Sequence, residues 1–218
     1  MSSGHVQRPV SADGDALGPG VARDELLGRH QERRRLAALL HAAREGEAGV
    51  LVLRGEACIG KSALLGDLAN NAEDFCICRT GGVESEMELP YAALQQLCRP
   101  LAGYNAELAK LHRDVLDQVF GLAEGAPPER FLVGIAALHL VAAATQKQPV
   151  MWLVDDAQWI DQASMQAIAF VGRRLLAERA VVAIATRDVS DEDELAGLPE
   201  FRLGGLDPRT LAGCSTWL

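Results

Sequence analysis

Eight consecutive residues, Gly55-Glu56-Ala57-Cys58-Ile59-Gly60-Lys61-Ser62, have the types and spacing needed to hold a polyphosphate. Two glycines five apart let the backbone curl until successive N–H groups point inward at phosphate oxygens. The lysine that follows reaches the β/γ-phosphates as a point charge, and the next hydroxyl can sit on Mg2+. This is the P-loop pattern G-x-x-x-x-G-K-[ST], a match expected by chance on the order of once in a hundred chains of this length. The apolar run Val50-Leu51-Val52-Leu53 before it and the helix-forming run from Ala63 to Ala69 after it supply the strand and helix the motif requires. Gly55, Glu56, Ala57, Cys58, Ile59, Gly60, Lys61, Ser62 and Ala63 are therefore the expected nucleotide-binding stretch, with the helix dipole adding positive potential.

A second constellation fits the first. Val150-Met151-Trp152-Leu153-Val154-Asp155-Asp156 is an apolar strand that runs into two carboxylates, the Walker B pattern. Asp155 is the candidate Mg2+ ligand, through water, and Ser62 is its partner in the metal site. Asp156 is placed to orient or deprotonate an attacking water. Taken alone, such a strand is better explained as a buried segment ending in a solvated acidic turn. Beside an intact P-loop the nucleotide reading prevails.

These residues need a scaffold that brings distant strand ends together. The chain has 218 residues, 49% of them hydrophobic and 23% charged, enough for one α/β domain with a sizeable core. A formal net charge of −9 argues against duplex DNA as a direct partner. Residues 1–22 hold no apolar signal segment, and the longest mostly apolar stretch, Phe131 to Ala144, is too short to span a bilayer. A cytoplasmic location is the expectation. The five cysteines, without a secretory signal, read as free thiols, and Cys76 and Cys78 as small buried residues on one face of a strand.

Apolar periodicity predicts a helix over Glu32–Arg44, a strand over Val50–Arg54, and a second strand over Phe75–Thr80. Helices are predicted over Pro90–Leu101, Ala106–Leu122 and from Pro127-Pro128 to Gln146. After the Walker B strand comes a helix capped by Asp161 or Ser164 and continuing through Arg179, then strands over Ala180–Ala185 and Phe201–Leu203. Strands alternating with helices imply an α/β fold, a five-stranded parallel sheet covered by helices on both faces. The domain is expected over residues 24–207, with a disordered leader at 1–23, a solvated acidic loop at Asp191–Glu194 and a truncated tail at 208–218 that lacks a lid.

Leu26-Leu27-Gly28-Arg29-His30-Gln31-Glu32 ahead of the P-loop, Gly82-Val83-Glu84-Ser85-Glu86-Met87-Glu88-Leu89-Pro90-Tyr91, Asp155-Asp156-Ala157-Gln158-Trp159-Ile160-Asp161 and Ala185-Thr186-Arg187 resemble a known family. That family is the AAA-like NTPase domain of the LuxR-type large ATP-binding regulators, which belong to the signal-transducing STAND class. The resemblance implies that Gly28 and Arg29 lie near the adenine and that Arg187 senses the γ-phosphate. Lys61, Asp156 and Arg187 would then be the catalytic set. It also implies ATP and Mg2+ as cofactors, ATP and ADP as partners, and self-association through the NTPase domain; the net charge and the short apolar stretches argue against direct DNA or membrane contact by this chain. A slow, regulatory ATPase is the expected activity. A free-standing metabolic P-loop enzyme, such as a small-molecule kinase, is the alternative, disfavoured because little chain follows the last strand to form an Arg-rich lid. The family usually carries Gly where this chain has Cys58. If that position needs a positive φ, the Cβ costs on the order of 1 kcal/mol.

Overall fold

The computed structural model describes residues 28–126, 128–187 and 194–205. The leader, the tail and most of the acidic loop lie outside the described residues.

Five strands form the scaffold: β1 (Gly49–Arg54), β2 (Cys76–Gly81), β3 (Val150–Asp155), β4 (Ala180–Thr186) and β5 (Glu200–Arg202). All neighbours pair in parallel, in the order β2-β3-β4-β1-β5. Parallel strands need crossover connections, and helices supply them. These are α1 (His30–Arg44), α2 (Lys61–Asn70), α3 (Ala92–Cys98), α4 (Lys110–Val119), α5 (Arg130–Thr145) and α6 (Gln162–Gly172).

The three central strands are buried almost throughout, which explains why they read as continuous apolar runs rather than alternating ones. Alternation survives in which core each residue joins. Leu51, Leu53, Met151, Leu153, Val181 and Ala183 pack with Leu36, Leu40, Leu64 and Leu68 of α1 and α2. Val52, Trp152, Val154, Val182 and Ile184 join the larger core with α3, α4, α5 and α6.

α3, α4 and α6 are each shorter than periodicity predicts. The segment expected to be helical to Leu101 is α-helical only to Cys98 and continues as 3-10 turns over Arg99–Glu107. Pro100 sits at the change, lacking the N–H that an α-helix would use. The helix expected from Ala106 to Leu122 spans only Lys110–Val119. Likewise α6 stops at Gly172 rather than Arg179, and the Glu178 carboxylate accepts from the N–H groups of Leu176 and Ala177 instead. Of the two candidate caps, Asp161 caps α6 by accepting from Ser164 N at 2.8 Å. Ser164 serves the neighbour: its hydroxyl accepts from Leu94 N in α3, while Asp161 also accepts from Tyr91 N. Two side chains thus satisfy orphan amides at the starts of two helices and tie them together.

Candidate functional site

The strand order decides what meets what. β4 lies between β1 and β3, so the P-loop leaving β1, Arg187 leaving β4 and Asp155 ending β3 all emerge at the carboxyl edge of adjacent strands. That edge is where open parallel sheets bind ligands, beside the strand at which the chain reverses its winding.

On the P-loop, Gly60 has φ +100° and Cys58 φ +59°. Both lie in the left-handed region, so the loop turns tightly and the Cys58 Cβ stands where glycine would be unstrained. Its thiol is exposed, as are Glu56 and Ala57. Gly55 is tightly enclosed, since a Cβ there would stand 3.1 Å from both the Leu203 carbonyl oxygen and Ile59 Cγ2. Lys61 is the first residue of α2 and is buried, donating to Gly55 O at 2.8 Å and Glu56 O at 2.7 Å. The ammonium holds the loop closed on itself.

Helix α2 begins at Gly60 without a side-chain cap and without an acidic residue in its first turn. Its first intrahelical bond is Leu64 N to Gly60 O, so the amides of Lys61, Ser62 and Ala63 have no acceptor within the helix. An uncapped N-terminus fits an anion. Ser62, at the second position and exposed, and Asp155 offer hard oxygen donors of the kind Mg2+ takes. The donor set therefore suits a magnesium-bound phosphate chain.

Arg29 is 6% exposed, and both of its terminal nitrogens are engaged: Nη1 donates to Glu32 Oε1 and Gly204 O, and Nη2 to Ile59 O, each at 2.9 Å. It straps the P-loop to the chain leaving β5, where Leu203 N also donates to Arg54 O. Gly28 precedes it with φ +82°.

The other half of the site is built from separate segments. Asp155 is 8% exposed, and its Oδ1 accepts from Asp156 N at 2.9 Å. Asp156 takes a left-handed backbone (φ +46°) that starts a 3-10 turn over Ala157–Trp159. Its Oδ1 accepts from Gln158 Nε2 at 2.8 Å, and Gln158 Oε1 accepts from Arg187 N at 3.1 Å. The Arg187 guanidinium lies 5.7 Å from the centroid of the Trp159 ring. Gly82, just past β2, packs against this turn so closely that a Cβ would come within 2.3 Å of Asp156 O. Gln158 and Gly82 went unassigned in the sequence reading. The Gly81-Gly82 pair is a visible chain-breaking signal, but nothing in spacing marks Gln158.

The thiols divide differently from the expectation that both strand cysteines are buried. Cys78 and Cys98 are buried; burial pushes the Cys98 thiol up to about 12. Cys76, on the edge strand β2, is only half-buried, and the hydrogen bond from Cys78 draws its thiol down to about 7. Among the described residues no group of three or more His, Cys, Asp and Glu could hold a metal ion, and no helix is long and apolar enough to cross a membrane.

No curated protein sequence matches the chain. Similar solved structures include Cdc6p from Pyrobaculum aerophilum, with TM-score 0.56 and 15% identity over 85% of this chain and 48% of that one. Drosophila ORC bound to DNA has TM-score 0.50 and 16% identity, over 93% of this chain and 52% of that one. A STAND protein with a tetratricopeptide repeat sensor from Pyrococcus horikoshii gives TM-score 0.49 and 18% identity, over 89% and 25%. The chain spans about half the length of the first two and a quarter of the third. At such identities the feature shared with the first two is the fold, a P-loop NTPase of the AAA type. The family model described as AAA ATPase domain matches residues 25–184, and with most of the chain inside that match, the chain belongs to this family.

Proposed function

We propose that this chain is the ATP-binding, slowly hydrolysing switch domain of a LuxR-type, STAND-class transcriptional regulator, spanning residues 24–207. The observation that carries the nucleotide reading is the uncapped start of α2 behind a P-loop whose lysine is already in place. In this reading Gly55 to Ala63 cradle the phosphates, Ser62 and Asp155 hold Mg2+, and Asp156 orients water. Gly28 and Arg29 border the adenine, and Arg187 reads the γ-phosphate. Bound magnesium would neutralise charge on the β- and γ-phosphates. The regulatory assignment rests on the sequence resemblance around Gly28–Glu32, Gly82–Tyr91, Asp155–Asp161 and Ala185–Arg187.

Nucleotide state would then bias a two-state assembly, through self-association of the NTPase domain, with DNA contact left to other regions of such regulators. Turnover is slow in this reading, because much transition-state charge stabilisation in such enzymes comes from an arginine supplied in trans. Calorimetric titration of wild type and Lys61→Ala with Mg-ATP tests the proposal. Micromolar binding that the substitution removes is the expected result, and equal affinity in both proteins would overturn it.

A further inference from the structure

The two ends of one side-chain amide join two segments of the strand-edge site, the turn after β3 and the end of β4. Gln158 Nε2 donates to the Asp156 carboxylate at 2.8 Å, and Gln158 Oε1 accepts from the backbone N–H of Arg187 at 3.1 Å. These partners dictate how the amide is oriented: a carboxylate can only accept and an N–H can only donate, so the reverse placement would break both bonds. Gly82 packs against the 3-10 turn over Ala157–Trp159 that carries Gln158, with no space for a single extra carbon. The centroid of the Trp159 ring in turn lies 5.7 Å from the Arg187 guanidinium. Gln158 is therefore not a loose surface amide. Its rotation would release Asp156 and the end of β4 together.

We propose that Gln158 is a positioning residue that locks the Asp156 carboxylate to the end of β4, so that γ-phosphate contact at Arg187 and water orientation at Asp156 occur as one event. The proposal rests on the roles given above to Asp156 and Arg187. The physical argument is reciprocity. If phosphate contact draws Arg187 and its N–H, the amide follows and Asp156 turns with it; coupling of this kind acts equally in both directions. Asp156 holds a left-handed backbone, costlier than a right-handed one for a residue with a Cβ, so a lost side-chain tether is expected to free it.

The two ends can be cut separately. Gln158→Leu removes both hydrogen bonds at similar volume. Gln158→Glu keeps an acceptor for Arg187 N but replaces the donor to Asp156 with a second carboxylate. Mg-ADP affinity, preference for Mg-ATPγS over Mg-ADP, and steady-state phosphate release would be measured on all three proteins. Gln158→Leu is expected to lower kcat at least tenfold and the triphosphate preference at least fivefold, with Mg-ADP affinity within twofold of wild type. Gln158→Glu should show the kcat loss alone, with the preference retained. A side chain that merely supports the fold would shift Tm and leave that split absent.

If Gln158→Leu fails to fold, the near-isosteric Gln158→Glu decides alone, and wild-type kcat in it overturns the proposal. If wild type binds Mg-ADP but releases no phosphate, the triphosphate preference decides, and an unchanged preference in Gln158→Leu overturns it. A wild-type chain that binds no nucleotide would instead sink the P-loop reading, and this proposal with it.

Discussion

The P-loop and the carboxyl ends of β3 and β4 lie at the same sheet edge but are built in opposite ways. The P-loop is local. Its lysine bonds to carbonyls five and six residues back, and its tight turn comes from the loop's own left-handed residues. The other half is assembled from a glycine after β2, a turn after β3 and an amide after β4, residues spread over more than a hundred positions. Damage to a local element should strike ligand affinity, whereas damage to the assembled one should strike what happens after binding.

The largest expected effect breaks the local half. Lys61→Ala removes the buried loop cation proposed above to reach the phosphates, and a hydrogen bond to a charged group contributes up to about 3 kcal/mol, so Mg-ATP affinity should fall by about 100-fold. Circular dichroism should show the fold retained, since the lost bonds are confined to the carbonyls of one loop. Next is the assembled half. Gly82→Ala must displace either Asp156 or Trp159, an overpacking that costs about 1–3 kcal/mol and should lower Tm by roughly 3–10 °C. Phosphate release should fall with Mg-ADP affinity nearly unchanged. A loss of affinity matching that of Lys61→Ala would show that the two halves are not separable.

A smaller change sharpens the P-loop side. Cys58 at φ +59° bears about 1–2 kcal/mol of left-handed strain, while glycine adds roughly 0.5–1 kcal/mol of unfolded-state entropy. Cys58→Gly should therefore stabilise the protein by about 0.5 kcal/mol in urea denaturation, and Cys58→Ala, which keeps the Cβ, should not. The smallest effect lies away from both halves. His112 Nδ1 and His139 Nδ1 are 2.8 Å apart between α4 and α5, and burial, then the charge of His139, lowers the His112 pKa. A histidine whose pKa is depressed in the fold contributes stability present above its unfolded value and lost as pH falls through the folded one. Wild type should thus lose about 1 °C of Tm relative to His112→Gln as pH drops below 6.5.

Five strands, their alternation with helices and their parallel arrangement were legible because buried parallel strands are near-continuous apolar runs, as in Val150–Val154 and Ala180–Ala185. Helix ends were less so. Pro100 and the Glu178 carboxylate each end a helix earlier than periodicity suggests, because backbone satisfaction competes with the apolar pattern. Asp161 was recognisable as a cap, but its second service to Tyr91 was not, since that depends on α3 and α6 lying side by side.

The P-loop pattern at Gly55–Ser62 is written in eight adjacent residues, because a turn, a run of inward amides and a lysine need only local backbone geometry. The pairing of β4 with both β1 and β3 is not written in any short stretch. Sheet order rests on pairings between strands far apart in the chain. Those pairings set Arg187 beside the Asp155–Trp159 turn and turn Gln158 from an unremarked polar residue into the link between the two, while the pairing of β5 with β1 brings Gly204 to Arg29.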